Sequence, residues 1–192
     1  MNIFLRLTIA TTTFLAAIAA AQCPSQNPND EPVCLSKINI GGPRLGLTGI
    51  IGNGDFAHEL DKNKIGRYYS QFGWQFEFKV VPEGNGPSFV IELIPMIGAV
   101  EYGIVVPSIT VPLGIRMPNG FEFGIGPNVC ATSIDRASSS VVIALGKTFS
   151  YRGVGIPINF AVAKGSGGVA TTLSFGYALV RSKISASGSA SY

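Results

Sequence analysis

The chain has 192 residues, of which 14 are Lys or Arg and 11 Asp or Glu, so 13% are charged, while 24 are Gly and 12 Pro. An ordinary soluble domain is about 25% charged, and the positive mean hydropathy of +0.36 excludes a disordered chain. Gly and Pro scattered throughout exclude a helical bundle, and a net charge of +3 leaves no electrostatic footprint for a nucleic-acid partner.

Residues 1–21 read MNIFLRLTIATTTFLAAIAAA. Arg6 supplies a positive start, Leu7 to Ile18 an apolar stretch, and Ala19, Ala20 and Ala21 a small-residue cleavage site before Gln22. This is the pattern of a secretory signal peptide. The apolar stretch is short of the ~20 residues that a retained anchor helix needs. A lipid anchor on Cys23 would have Gln22, a poor residue for that position, before it. Residues 22–36, QCPSQNPNDEPVCLS, form a polar, Pro-rich arm expected in the periplasm. In an oxidising compartment Cys23 and Cys34 could close a small loop and leave Cys130 over. The alternative is three separate thiols.

From residue 37 to 181 the chain divides at Gly-, Asn-, Asp-, Pro- and Ser-rich turns into eight strand segments. They cover about 38–51, 68–81, 88–97, 102–116, 120–130, 140–149, 154–163 and 169–180. A long polar connection, 52–66, follows the first, and ATSIDRASS at 131–139 follows the fifth. A polar tail occupies 182–192. The segments alternate with period two. In the second, Phe72, Trp74, Phe76, Phe78 and Val80 share one face, and Gln71, Gly73, Gln75, Glu77 and Lys79 the other. In the seventh, Val154, Ile156, Ile158, Phe160 and Val162 oppose Gly155, Pro157, Asn159, Ala161 and Ala163.

A soluble barrel turns its large apolar face inward and clothes the outside in charge. Here the opposite face is Gly, Ala, Ser, Thr and Asn. That makes a poor soluble surface and a good lining for a narrow interior. The large face then looks at lipid, and segments of this length suit the 9–11 residues that cross a bilayer with tilt. The sequence therefore predicts an all-β, eight-stranded antiparallel up-and-down transmembrane β-barrel, whose even strand count closes without an edge.

Depth supplies a separate check. With the N-terminus in the periplasm, the inward charges are Arg44, Glu77, Lys79, Glu92, Arg116 and Glu122. All six fall in the periplasmic half, three of each sign, and can neutralise one another inside a plugged lumen. In the other half, parity turns Ile94, Met96, Ile104 and Val106 inward, where they could form an apolar pocket. The competing reading is that Pro95 and Pro107 mark bulges, or that the strand tops pack together.

Segments such as GGPRLGLTG, FGWQFEF and NGFEFGIGPN carry a resemblance. With the signal peptide, the eight alternating strands and the short turns, they make residues 37–181 resemble the small eight-stranded outer-membrane β-barrel proteins of Gram-negative bacteria, the OmpA/OmpX-like superfold. The resemblance implies a barrel in the cell outer membrane and assigns no chemistry. Such proteins usually end on the last strand with an aromatic residue, whereas here a tail follows Val180 and ends in Tyr192.

Catalytic motifs are missing. His58-Glu59-Leu60-Asp61 is followed by Lys62, which breaks a zinc HExxH, and one His cannot build a multi-His metal site. Gly146-Lys147-Thr148 lacks the upstream glycine of a phosphate loop, Val141 standing there. His58 beside acidic residues would suit a lipid A-modifying enzyme, but no accompanying Ser motif is present. The expectation is a non-catalytic, monomeric barrel without cofactor or metal, whose partners are outer-membrane lipid and an unidentified surface or periplasmic protein. Contact would run through the loops at 52–66 and 131–139. The alternatives are an outer-membrane carrier or narrow channel for a small apolar ligand, and a secreted soluble lipocalin-like barrel.

Overall fold

The structure is a computed structural model and describes residues 34–52, 54–62, 66–81, 85–133, 136–165 and 168–179. The expected signal peptide, most of the arm including Cys23, and the tail lie outside the described residues.

Ten strands build eight staves. They begin with β1 (Gly42–Ile51), β2 (Tyr68–Val80) and β3 (Ser88–Gly98). The fourth stave is β4 (Val106–Thr110) continued by β5 (Leu113–Arg116). Then come β6 (Phe121–Ser133), β7 (Arg136–Tyr151) and β8 (Val154–Gly165). The eighth stave is β9 (Gly168–Gly176) continued by β10 (Ala178–Leu179). Each stave pairs antiparallel with the next, and β9 pairs with both β8 and β1. The result is a closed eight-stranded antiparallel barrel.

The gap between β4 and β5 has a local cause. Pro112 has no N–H to give the ladder. Yet Thr110 pairs with Ile94 and Leu113 with Ile91, and the β6 partners run in the same unbroken register. No residue is inserted, so side chains keep their faces. Pro95 opposite Ile109 and Pro107 opposite Ile97 leave the register unshifted too, so neither marks the bulge that the sequence allowed.

The alternation resolves with the large side chains outside. Trp74 is 48% exposed and Phe76 47%, whereas Gln75 between them is 2% exposed. Leu45, Leu47, Phe123, Ile143, Phe149, Ile158 and Phe175 look outward in the same way. On β7 the outward series runs from Val141 to Tyr151. That is about 33 Å along a strand and about 25 Å after a barrel tilt of roughly 40°. Among the described outward-facing strand positions only Lys147 and Lys164 carry charge. Lys164 marks the belt's upper edge, opposite Val141 and Val169. The Lys147 amine bends down to the Asn119 carbonyl, 2.8 Å away in the adjoining turn.

The barrel has two unlike ends. At one, here the arm end, a 3-10 turn (Leu35–Lys37) and residues 38–41 cross the opening, so β1 starts at Gly42 and not at 38. At the other lies α1 (Asp55–Lys62), within the connection expected to be irregular. Its Ala57 and Leu60, three residues apart on one face, are both fully buried, while His58 is exposed. Two further boundaries differ. The stretch 131–139, expected as a surface loop, is mostly the upper ladder of β6 and β7, with Ala131 opposite Ala137. Its Ser and Ala residues look like a turn but fit a narrow wall, and inward-facing Ser140 donates to Asn128 at 3.2 Å. The fourth stave starts at Val106, because Ala99 and Gly103 take left-handed conformations around a 3-10 turn (Val100–Tyr102).

Candidate functional site

The candidate site is the lumen, which has a charged floor, a cavity above it and an apolar cap.

Strand register assembles the floor. Glu77 faces Glu92 across β2 and β3, and Arg116 faces Glu122 across β5 and β6. Two carboxylates side by side need a cation, and Arg116 reaches both as well as its own partner. It meets Glu122 Oε2 at 2.5 Å, Glu77 Oε2 at 2.7 Å and Glu92 Oε1 at 3.3 Å. Lys79 adds a second cation on Glu77 at 3.1 Å. Arg44 joins through a neutral link: its Nε donates to Gln75 Oε1 at 2.8 Å, and Gln75 donates onward to Glu92. The structure thus brings together all six charges singled out in the sequence. With three of each sign the cluster is neutral, as burial of charge requires.

The arm completes the floor. The Ile40 carbonyl accepts from Arg44 Nη2 at 2.6 Å, and the Ile40 N–H donates to Glu77 Oε2 at 3.2 Å. Leu35 N–H donates to the Pro118 carbonyl at 3.0 Å, and both Leu35 and Ile40 are 1% exposed. Close packing enforces small residues here. A methyl group on Gly176 would strike the Arg44 guanidinium and the Pro43 carbonyl. Gly120, at φ 84°, turns under Leu35 in a conformation that favours glycine.

Above the floor lies a cavity of about 160 Å³. Glu92, Glu122 and Arg44 form its base, Ile94 and Met96 an apolar wall, and Thr48, Asn128 and Ser140 part of a polar one. Its top is the cap, where Ala57 and Leu60 of α1 pack with Ile50, Tyr69, Ala99 and Val106. The four expected apolar pocket residues therefore separate. Ile94 and Met96 line the cavity, while Val106 belongs to the cap and Ile104 packs against it. Parity placed all four inward, but α1, which fills the upper lumen, had no hydrophobic period long enough to show in the sequence.

Three contributors escaped sequence reasoning. Gln75 stood on the polar face of β2, and its place two residues before Glu77 was the available signal. Ile40 takes part through its backbone, for which a sequence has no mark. On the rim, Glu101 accepts from the Ser70 N–H at 2.5 Å and hydroxyl at 2.8 Å, tying the β3–β4 turn to β2. Cys34 is disulfide-bonded and Cys130, half-buried beside the cavity, carries a free thiol. Cys23, the expected partner of Cys34, lies outside the described residues. Among the described residues no cluster of His, Cys, Asp and Glu could hold a metal ion. Comparison of the chain with protein-family models, curated proteins and solved structures gives no match.

Proposed function

We propose that the chain is an exported outer-membrane barrel with a structural or surface-contact role and no catalysis. One observation carries this reading: the barrel is inverted relative to a soluble one. Its large apolar side chains form an outward belt, and its charges are buried as a neutral cluster inside. In water such a belt would be an exposed apolar patch far beyond the few hundred Å² that soluble monomers tolerate. In a bilayer it matches the ~25 Å apolar band of outer-membrane barrels. The closed ladder meets the other demand of lipid, since no backbone edge is left unpaired.

The floor, arm and cap favour a closed lumen over a pore. The arm end then faces the periplasm, as the N-terminal leader predicts, and α1 with the rim around Glu101 faces outward. This rim is the surface a partner would meet, together with the β6–β7 hairpin, which rises beyond the belt. A monomeric state is part of the proposal.

Membrane fractionation tests it. The chain is expected in the outer-membrane fraction, lacking residues 1–21 by mass, and migrating faster on gels before boiling than after. Recovery of folded chain in the soluble fraction without detergent would instead support the soluble lipocalin-like barrel.

A further inference from the structure

The cavity and its floor differ in charge from one side to the other. Of the six clustered charges, Arg44, Glu92 and Glu122 face the cavity, while Arg116, Lys79 and Glu77 do not line it. Two acids and one cation thus line the cavity, with Arg116 behind them paired to both acids. The acidity is also available. The Glu77 side chain is 0% exposed, Glu92 7% and Glu122 17%, so Glu122 is the most open of the three carboxylates. Arg44 is less open: it is 2% exposed, and three of its five N–H groups already donate, to Gln75, Pro43 and Ile40. The floor can therefore accept a hydrogen-bond donor more readily than an anion.

The strands place empty space over Glu122. Above it on β6 the next inward residue is Gly124, which carries no side chain and lines the cavity, while at Gly126 the backbone of Val111 and Pro112 closes in. Beside that space the inward series of β3 passes from Glu92 to Ile94 and Met96, from acid to apolar within two steps. Small half-exposed residues, Ala161, Ala163, Gly165 and Gly168, lead from the cavity along β8 and β9 toward the α1 rim. At about 160 Å³ the space is close to the ~150 Å³ apolar cavity that admits benzene.

We infer that the lumen cavity is a binding site for a small amphiphile with a cationic, hydrogen-bond-donating head, an alkyl- or aryl-ammonium compound. The head rests on Glu122 and the apolar part lies against Ile94 and Met96. This goes beyond the barrel's placement in a membrane and stands or falls separately from it.

The test uses the folded chain in detergent micelles with methionine methyl groups labelled by carbon-13. Met96 reports the cavity, and Met117, in the turn at the arm end, is an internal control. The probes are benzylammonium, benzyl alcohol and benzoate. Benzylammonium is expected to shift the Met96 methyl saturably, with a Kd on the order of 1–10 mM for a ligand of about eight heavy atoms, and to leave Met117 in place. Benzyl alcohol should bind more weakly and benzoate not measurably. Glu122→Gln is expected to weaken benzylammonium roughly tenfold, the size of one charged hydrogen bond, without changing benzyl alcohol. Should that variant fail to fold, Gly124→Val gives the second route. A Cβ at Gly124 meets nothing closer than 3.4 Å, so the added side chain fills the space over Glu122 and should abolish binding of both ligands. A Met96 methyl unmoved by benzylammonium, as in a cavity holding water only, would overturn the inference. So would benzoate binding as tightly as benzylammonium.

Discussion

Replacing Arg116 by Met probes the floor most directly. The Arg116 side chain is 1% exposed and meets the carboxylates of Glu122, Glu77 and Glu92 at 2.5, 2.7 and 3.3 Å. Met keeps most of the volume and removes the charge. Glu77 retains Lys79 at 3.1 Å, and Glu92 retains the neutral Gln75. Glu92 and Glu122 are then left without the cation that holds them. Breaking a buried pair by removing one partner costs about 3–5 kcal/mol, mostly from the charge left behind. The expected loss in Arg116→Met is in that range. The double variant Arg116→Met, Glu122→Gln restores equal numbers of buried charges and should recover about half of the loss, because the penalty follows imbalance more than the missing contact. Urea unfolding in lipid vesicles, followed by Trp74 fluorescence and by gel mobility, measures both. A single variant within about 1 kcal/mol of the parent would refute the claim that Arg116 organises the floor, placing it with surface ion pairs. A double variant no better than the single would refute the charge-balance argument.

Other perturbations reach the remaining parts. Gly176→Ala puts a methyl group against the Arg44 guanidinium and the Pro43 backbone, and should cost about 1–3 kcal/mol by overpacking, read from the same urea midpoint. Leu60→Ala removes a fully buried cap side chain and should cost about 2–5 kcal/mol if the cap unfolds with the barrel. A loss near zero would show that α1 opens independently. Lys147→Met should change stability by less than about 1 kcal/mol, because the amine already reaches the Asn119 carbonyl at the edge of the belt.

Much of this fold could be read from the chain because a barrel wall is written in period two. Phe72, Trp74, Phe76 and Phe78 all point the same way, so parity alone decided which residues share the lumen, and depth brought Arg44, Glu77, Lys79, Glu92, Arg116 and Glu122 to one level. The parts that escaped are those without a period. Ile40 seals the floor with its N–H and carbonyl. Ala57 and Leu60 give α1 an apolar face of barely one turn. Ala137 to Ser139 resemble a loop because a wall built of small residues has no large side chains to alternate. The separation of Ile104 and Val106 from Ile94 and Met96 follows from the same blind spot, since only the position of α1 divides the cap from the cavity.

Trp74 offers the most direct test of the inverted barrel. It is the only tryptophan of the chain, lies midway along β2, and is 48% exposed on the outer face. Folded into vesicles of lipids brominated at stepped depths, the chain should show strong quenching of Trp74, greatest for bromines near the bilayer centre. Fluorescence indifferent to the brominated lipids, in a chain that stays folded in water without detergent, would contradict the proposal that this belt faces a membrane.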